Sequence, residues 1–185
     1  MIPPGESYIE KWRELTSSPD FEKAGPEDRI NAVLAIRCPH DPRLTSQFME
    51  RDVSLVSFTK LSDSTCQAVF KFRVERFYCN ISGNLHGGAQ ALFYDMLTSF
   101  AMQAIGVKGF WLNGGVSRTL ECTYLRPAPE GVDVLCEVEV MSTGKSLSFH
   151  RGVMKRADTG ALISVGKHDK AAVMTKPGYD APSKL

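Results

Sequence analysis

Residues 87–105 read as one long helix with apolar side chains nearly all round it. Leu92, Phe93, Met96, Leu97, Phe100, Ala101, Ala104 and Ile105 leave little wet face. A helix of that kind must be covered on most sides. The flanking sequence supplies the cover as strands, because the apolar period on both sides is two. In residues 65–77, Cys66, Ala68, Phe70, Phe72 and Val74 fall on one face, opposite Gln67, Lys71 and Arg73. In residues 132–141, Val132, Val134, Cys136, Val138 and Val140 oppose Asp133, Glu137 and Glu139. Residues 53–61, 112–124, 146–156 and 162–173 read as further strands, with Ala157-Asp158-Thr159-Gly160 as a tight hairpin turn. Two strands, a long helix, then four strands on short turns make an α+β domain. An antiparallel sheet wraps one central helix.

The first fifty residues differ. Tyr8, Ile9, Trp12 and Leu15 recur at helical spacing. Pro26 opens a second helix with Ile30, Val33 and Leu34 on one face. Three parts follow: a helical extension at 1–50, the α+β domain at 51–175, and a flexible tail at 176–185. The extension suggests no chemistry of its own, and packing on the main domain and lining its site are both open to it.

Charge excludes some functions. The 185 residues carry 22 basic and 21 acidic side chains, a net +1, so nothing draws the chain to nucleic acid or an anionic membrane. The most apolar stretch, 89–105, is shorter than the roughly 20 residues a membrane span needs, and it contains Asp95. Five cysteines without a C-x-x-C spacing argue for reduced thiols and no zinc site.

Chemistry concentrates around Asn80-Ile-Ser-Gly-Asn-Leu-His86-Gly87-Gly88, followed by Asp95. Glycines at a helix entry allow close approach to backbone N–H groups that have no intrahelical partner. Those donors, at the positive end of the helix dipole, suit an oxyanion forming on a carbonyl. A carboxylate in the middle of a buried helix is costly unless it is paired or useful. Gly88 and Asp95 are two turns apart, roughly 10 Å. One carbonyl can hardly touch both in the same chain. If both act on it, the site lies between two subunits.

This pattern resembles the hotdog-fold acyl-CoA thioesterases of the phenylacetate-pathway type, and among them the small eukaryotic form acting on long-chain acyl-CoA. The resemblance covers residues 64–173. It includes Val116-Ser117, Thr123-Tyr124, Pro127-Ala128, Gly144-Lys145-Ser146-Leu147 and Gly166-Lys167-His168. It implies a hotdog fold and an enzyme that hydrolyses medium- to long-chain acyl-CoA to free acid and CoA. Asp95 corresponds to the base or nucleophile, and Gly87 to the N–H that polarises the thioester. Asn80 corresponds to a residue holding the water or the carbonyl. Ser117 corresponds to a serine orienting the water, and His86 to the motif histidine that fixes the loop. Gly88 belongs with Gly87 in substrate binding. Lys145, Lys167 and His168 lie where the family places the CoA phosphates or their surroundings. No metal or redox cofactor is implied, and CoA is part of the substrate. The assembly implied is a homodimer or homotetramer, and the acyl chain is expected between helix and sheet.

Two alternatives stay open. A non-catalytic acyl-CoA-binding protein needs neither Asp95 nor the glycine turn. A hotdog enoyl-CoA hydratase needs a histidine placed with the aspartate on the helix, and none follows Asp95 there. The final Ser183-Lys184-Leu185 matches the tripeptide read by the peroxisomal import receptor, so a peroxisomal address is expected, otherwise a cytoplasmic one.

Overall fold

In the computed structural model, residues 6–49, 51, 53–107 and 110–173 are described. Ser183, Lys184 and Leu185 lie outside them. Four short helices come first: α1 (Tyr8–Ser17), α2 (Pro19–Lys23), α3 (Pro26–Leu34) and α4 (Leu44–Met49). Strands β1 (Val53–Lys60) and β2 (Cys66–Arg73) precede the long helix α5 (Gly87–Ile105). Then come β3 (Val116–Tyr124), β4 (Asp133–Thr143), β5 (Leu147–Arg156) and β6 (Leu162–Ala171). The six strands form one antiparallel sheet in the order β1-β2-β4-β5-β6-β3.

The sheet curls over α5, as the apolar helix required. Phe93, Tyr94, Leu97 and Ala101 are fully buried against Cys66, Phe70, Val134 and Cys136. The space expected to take an acyl chain is therefore filled. Phe72 stacks on Phe93 with ring centroids 3.6 Å apart, and Phe48 of α4 meets the same ring at 5.0 Å. Interiors packed to this density have no room for a fatty chain unless side chains move.

The N-terminal helices pack on the domain, α3 against α5 and β1. Arg29 ties them down by donating to the carbonyls of Phe21, Glu22 and Gly106. α2 and α4 were not expected. At five and six residues they are too short to show a period. Ile9, expected on the apolar face of α1, is 42% exposed.

Two strand limits differ from expectation. β2 ends at Arg73, where its partner β4 begins at Asp133, and Phe77 lies instead in a 3₁₀ turn, Arg76–Tyr78. β3 starts at Val116 rather than 112, because Gly114 and Gly115 turn the chain with φ of +74° and +62°. A Cβ on Gly115 would lie 2.6 Å from the Trp111 ring, so no side chain fits there.

All five cysteines are thiols. Among the described residues no helix is long and apolar enough to cross a membrane. Among them, too, no group of three or more His, Cys, Asp or Glu is placed to hold a metal ion.

Candidate active site

The loop before α5 is shaped by its own polar groups. Asn80 Oδ1 accepts from the N–H groups of Ser82 (3.0 Å) and Asn84 (3.2 Å). Gly83 completes the turn with φ +72°. His86 N–H donates to Tyr78 O, and Leu85 N–H to Ala128 O. His86 is the N-cap of α5, and its Nδ1 accepts the Gly88 N–H at 2.9 Å. The Gly88 donor is thus occupied by the cap. The Gly87 N–H has no acceptor among the described residues. Tyr124 Oη donates to Gly87 O at 3.0 Å, and a Cβ on Gly87 would lie 3.2 Å from Tyr124 Cζ. Among the described residues the helix therefore starts with the Gly87 and Ala89 N–H groups unused, the first of them beside an aromatic ring that favours glycine.

Asp95 lies two turns further on, its side chain 39% exposed. Ser117 Oγ of β3 donates to Asp95 Oδ1 at 2.6 Å. His168 Nε2 of β6 is 2.9 Å from the same Ser117 Oγ and 3.4 Å from Asp95 Oδ1. Thr98 Oγ1, one turn along α5, is 2.6 Å from His168 Nδ1. Proton count assigns the imidazole. The single Ser117 proton goes to the carboxylate, which only accepts, so His168 must carry Nε2–H and donate it to Ser117. Its Nδ1 then accepts from Thr98, in competition with Tyr94 O at 2.7 Å for the same proton. Burial first, then the charge of Lys170, pushes the His168 pKa down to about 4. The nearby Asp95 charge opposes that shift without overcoming it. The 3.4 Å approach is therefore a contact between an anion and a neutral ring at pH 7.

A bulge delivers Ser117. Leu120, Cys122 and Tyr124 pair with His168, Gly166 and Ser164 on the helix-facing side, so inward positions of β3 are even-numbered. Strict alternation would turn Ser117 outward. The register shifts between Ser117 and Thr119, leaving Arg118 as an extra residue, and Ser117 pairs with the buried Lys170. A one-residue bulge reverses the parity and aims the hydroxyl at Asp95.

Of the residues named from sequence, Asp95 and Ser117 meet. Gly87, Gly88, His86 and Asn80 form a second group at the helix start. Lys145 is exposed in the β4–β5 turn, which is anchored by Trp111 Nε1–H donating to Gly144 O at 2.8 Å. Lys167 is exposed on the outer face, 3.7 Å from Glu121. His168, grouped in the sequence with Lys167, is 1% exposed and stands at the carboxylate instead. Strand alternation explains the split, because neighbours on β6 point to opposite faces.

The thioesterase superfamily pattern matches residues 82–163, from the loop before α5 to the start of β6. Acyl-coenzyme A thioesterase 13 of Homo sapiens is 31% identical over 116 residues, covering 63% of this chain and 80% of the relative. The chain belongs to the thioesterase superfamily. Zebra fish thioesterase superfamily member 2 superposes with a TM-score of 0.63 at 25% identity, over 80% of this chain and 95% of that one. The mouse member 2 structure gives 0.65 at 24%, over 81% and 99%. The superfamily fold accounts for the six strands and the long helix, and residues 8–49 add four short helices before them.

Sequence reasoning missed Thr98, Ser99 and Lys170 in this site. Lys170 Nζ donates to Ser99 Oγ at 2.8 Å, and Ser99 Oγ to Asp95 O at 2.6 Å. The signal was present, since Lys170 shares the inward parity of His168. A lysine at an inward position normally marks a misjudged face. The structure also brings a histidine to Asp95, which the hydratase alternative was thought to lack. Both nitrogens of that ring are occupied and it is buried, so it meets Ser117 rather than a substrate.

Proposed function

We propose that this chain hydrolyses medium- to long-chain fatty acyl-CoA to the free acid and CoA, with Asp95 as general base. The observation that carries the reading is the half-exposed Asp95 carboxylate, held by Ser117, on the same helix as the unused Gly87 N–H. Water attacks the thioester carbonyl and gives its proton to Asp95. The carbonyl oxygen becomes an oxyanion that accepts from Gly87 N–H, with Asn80 beside it. The C–S bond then breaks, and the CoA thiolate takes a proton to leave as thiol. Ser117 keeps the carboxylate in one orientation.

The two groups lie roughly 10 Å apart along one helix, so we place the reacting carbonyl between Asp95 of one subunit and Gly87 of another. Edge strand β3 supports a homodimer. Val116 and Tyr124 on it are 49% and 51% exposed, and among the described residues no strand pairs with its outer side. A tetramer of two such dimers is compatible with the same contact. With the helix–sheet space filled, the acyl chain lies at that junction, along half-buried Leu92 and Met96. Lys145 and Lys167 are offered to the CoA phosphates. The reading asks for no metal or redox cofactor. Ser183-Lys184-Leu185 supports a peroxisomal address, which a fluorescent fusion with and without the tripeptide tests.

The test of the activity is thiol release by the purified protein from short, medium, long and aromatic acyl-CoAs. Release favouring C12–C18 chains supports the reading. Tight acyl-CoA binding without release supports the binding-protein alternative, and loss of enoyl absorbance from a trans-2-enoyl-CoA supports the hydratase.

A further inference from the structure

The β4–β5 turn, Gly144-Lys145-Ser146, stands at the end of α5 remote from the Gly87 donor. Gly106 follows α5 directly, and a Cβ on it would lie 2.8 Å from Leu112 N, so the chain at Trp111 is held against that helix end. From Asp95 to Ile105 the helix rises about 15 Å. The pantetheine arm of CoA sets a comparable distance between its thioester and its phosphates. The turn is exposed. Lys145 and Ser146 offer an ammonium, a hydroxyl and two main-chain N–H groups, none with a partner among the described residues. Donors of that kind gathered in one turn suit the oxygens of a phosphate. Lys60, at the same end of the sheet, is already paired with Asp63 at 2.6 Å.

Trp111 reaches the turn from the interior, and its Nε1–H donates to Gly144 O at 2.8 Å. A trans peptide is planar, with its C=O and N–H on opposite sides. Fixing the Gly144 carbonyl on the indole therefore fixes the Lys145 N–H the other way, away from Trp111. Glycine would leave that peptide free to rotate, so the anchor matters at this position. The Gly144 carbonyl has no other partner among the described residues. The indole is held at a cost. Trp111 has φ +61°, a conformation rare for a bulky side chain. It is 4% exposed, and its ring lies on Gly115, where a Cβ would come within 2.6 Å. Backbone strain of this kind persists only where the surroundings impose it, and it gathers at functional sites.

We propose that Trp111 is a positioning residue for CoA: its indole holds the Gly144–Lys145 peptide so that the Lys145 N–H and ammonium, with Ser146, receive a phosphate of the acyl-CoA whose thioester lies at Asp95 of the same subunit. The proposal rests on the acyl-CoA reading for its substrate. The buried indole acts through the turn, so its effect falls on binding of the nucleotide end and not on the chemical step.

The experiment compares wild type, Trp111→Phe (ring kept, N–H lost), Lys145→Gln and the double variant. Each is assayed on one acyl-CoA and on the acyl-pantetheine with the same chain, which carries no phosphate. Trp111→Phe raises KM for the acyl-CoA about fivefold, the scale of one hydrogen bond, and leaves kcat unchanged. KM for the acyl-pantetheine does not move. The losses in the double variant fall short of additive, because both changes act on one phosphate contact. An unchanged KM for acyl-CoA in folded Trp111→Phe overturns the proposal. So does an equal rise for both thioesters, which marks a role in folding alone. If Trp111→Phe does not fold, the wild type decides by NMR. The chain has two tryptophans, so the Trp111 indole N–H resonance is identified against Trp12→Phe. It shifts on titration with CoA and stays in place with pantetheine, and an unmoved resonance with CoA bound overturns the proposal. A wild type that cleaves neither thioester overturns the thioesterase reading. The affinity of wild type and Trp111→Phe for CoA itself, measured by calorimetry, then still decides what Trp111 does.

Discussion

Ser117 Oγ donates a 2.6 Å hydrogen bond to Asp95 Oδ1, joining the edge strand β3 to the middle of α5. The bond exists because Arg118 is the extra residue of a bulge, which turns Ser117 from the outer to the inner face. A side chain on an edge strand and a carboxylate on the central helix are thus aligned by one backbone irregularity.

Ser117→Ala removes the hydroxyl that donates to Asp95 Oδ1. Hydrolysis should fall about a hundredfold, the scale of a lost proton-transfer arrangement, with the sheet unchanged by circular dichroism. Deleting Arg118 removes the extra residue of the bulge and leaves Ser117 opposite Lys170 on the inner face, so it should cost far less turnover than Ser117→Ala. Near-normal turnover in Ser117→Ala would remove Ser117 from the mechanism.

Gly87 occupies the first position of α5, where proline is tolerated and its missing N–H is not needed by the helix. Gly87→Pro removes the proposed oxyanion donor, at the cost of a small shift of the Tyr124 ring. Turnover should drop by about 10²–10³. Co-expressing Gly87→Pro with Asp95→Asn tests whether the site spans two subunits. Random mixed dimers restore one working site each, so about a quarter of wild-type activity should return. No recovery in verified mixed dimers would place both groups' action within one chain.

Acid should destabilise this protein through its buried histidines. His168 is pushed down from 6.5 to about 4 and His150 to about 3, burial being the larger cause in each. Both stay neutral when folded and take a proton when unfolded, so the unfolded state binds more protons below pH 6.5. Stability is therefore full above that value and falls as pH drops toward 4. Each ring accounts for on the order of 3 kcal/mol over that window. Urea unfolding at pH 7.5 and 4.5 reads the loss, and His150→Gln should make the pH dependence visibly shallower.

Gly152 and Gly166 lie opposite each other on β5 and β6, and the ring of Tyr94 rests on both. A Cβ on Gly166 would come within 2.8 Å of that ring. Tyr94 is fully buried, with its hydroxyl on Ser164 at 2.8 Å, so it has nowhere to retreat. Gly152→Ala should cost about 1–3 kcal/mol by overpacking, measured by thermal or urea unfolding. Gly152→Ala combined with Tyr94→Leu should recover most of that loss.

The parts of the fold with a long period were legible in sequence. α5 runs over the residues its apolar surface marked, and β2 and β4 bury the faces their alternation named. Asp95 stood out because a carboxylate in an apolar helix is rare enough to need a reason. What stayed hidden depends on parity and tertiary pairing. Ser117 faces inward through a bulge that no local pattern announces. His168 and Lys167 are adjacent in sequence and opposite in space, so one motif contains an interior and an exterior residue. Lys170 drew no attention in the sequence because lysine usually lies at the surface. Alternation also says which side chains enter the core and not how completely they fill it, as Phe72 and Phe93 do.

The most direct test of the account is CoA release by wild type and Asp95→Asn, measured side by side on the acyl-CoA that wild type cleaves fastest. Asparagine keeps the shape of the side chain and can still accept from Ser117, but it cannot take a proton from water. The account predicts a loss of about a thousandfold or more in kcat, with acyl-CoA binding and thermal stability close to wild type. Turnover within a few-fold of wild type in the folded variant would contradict it.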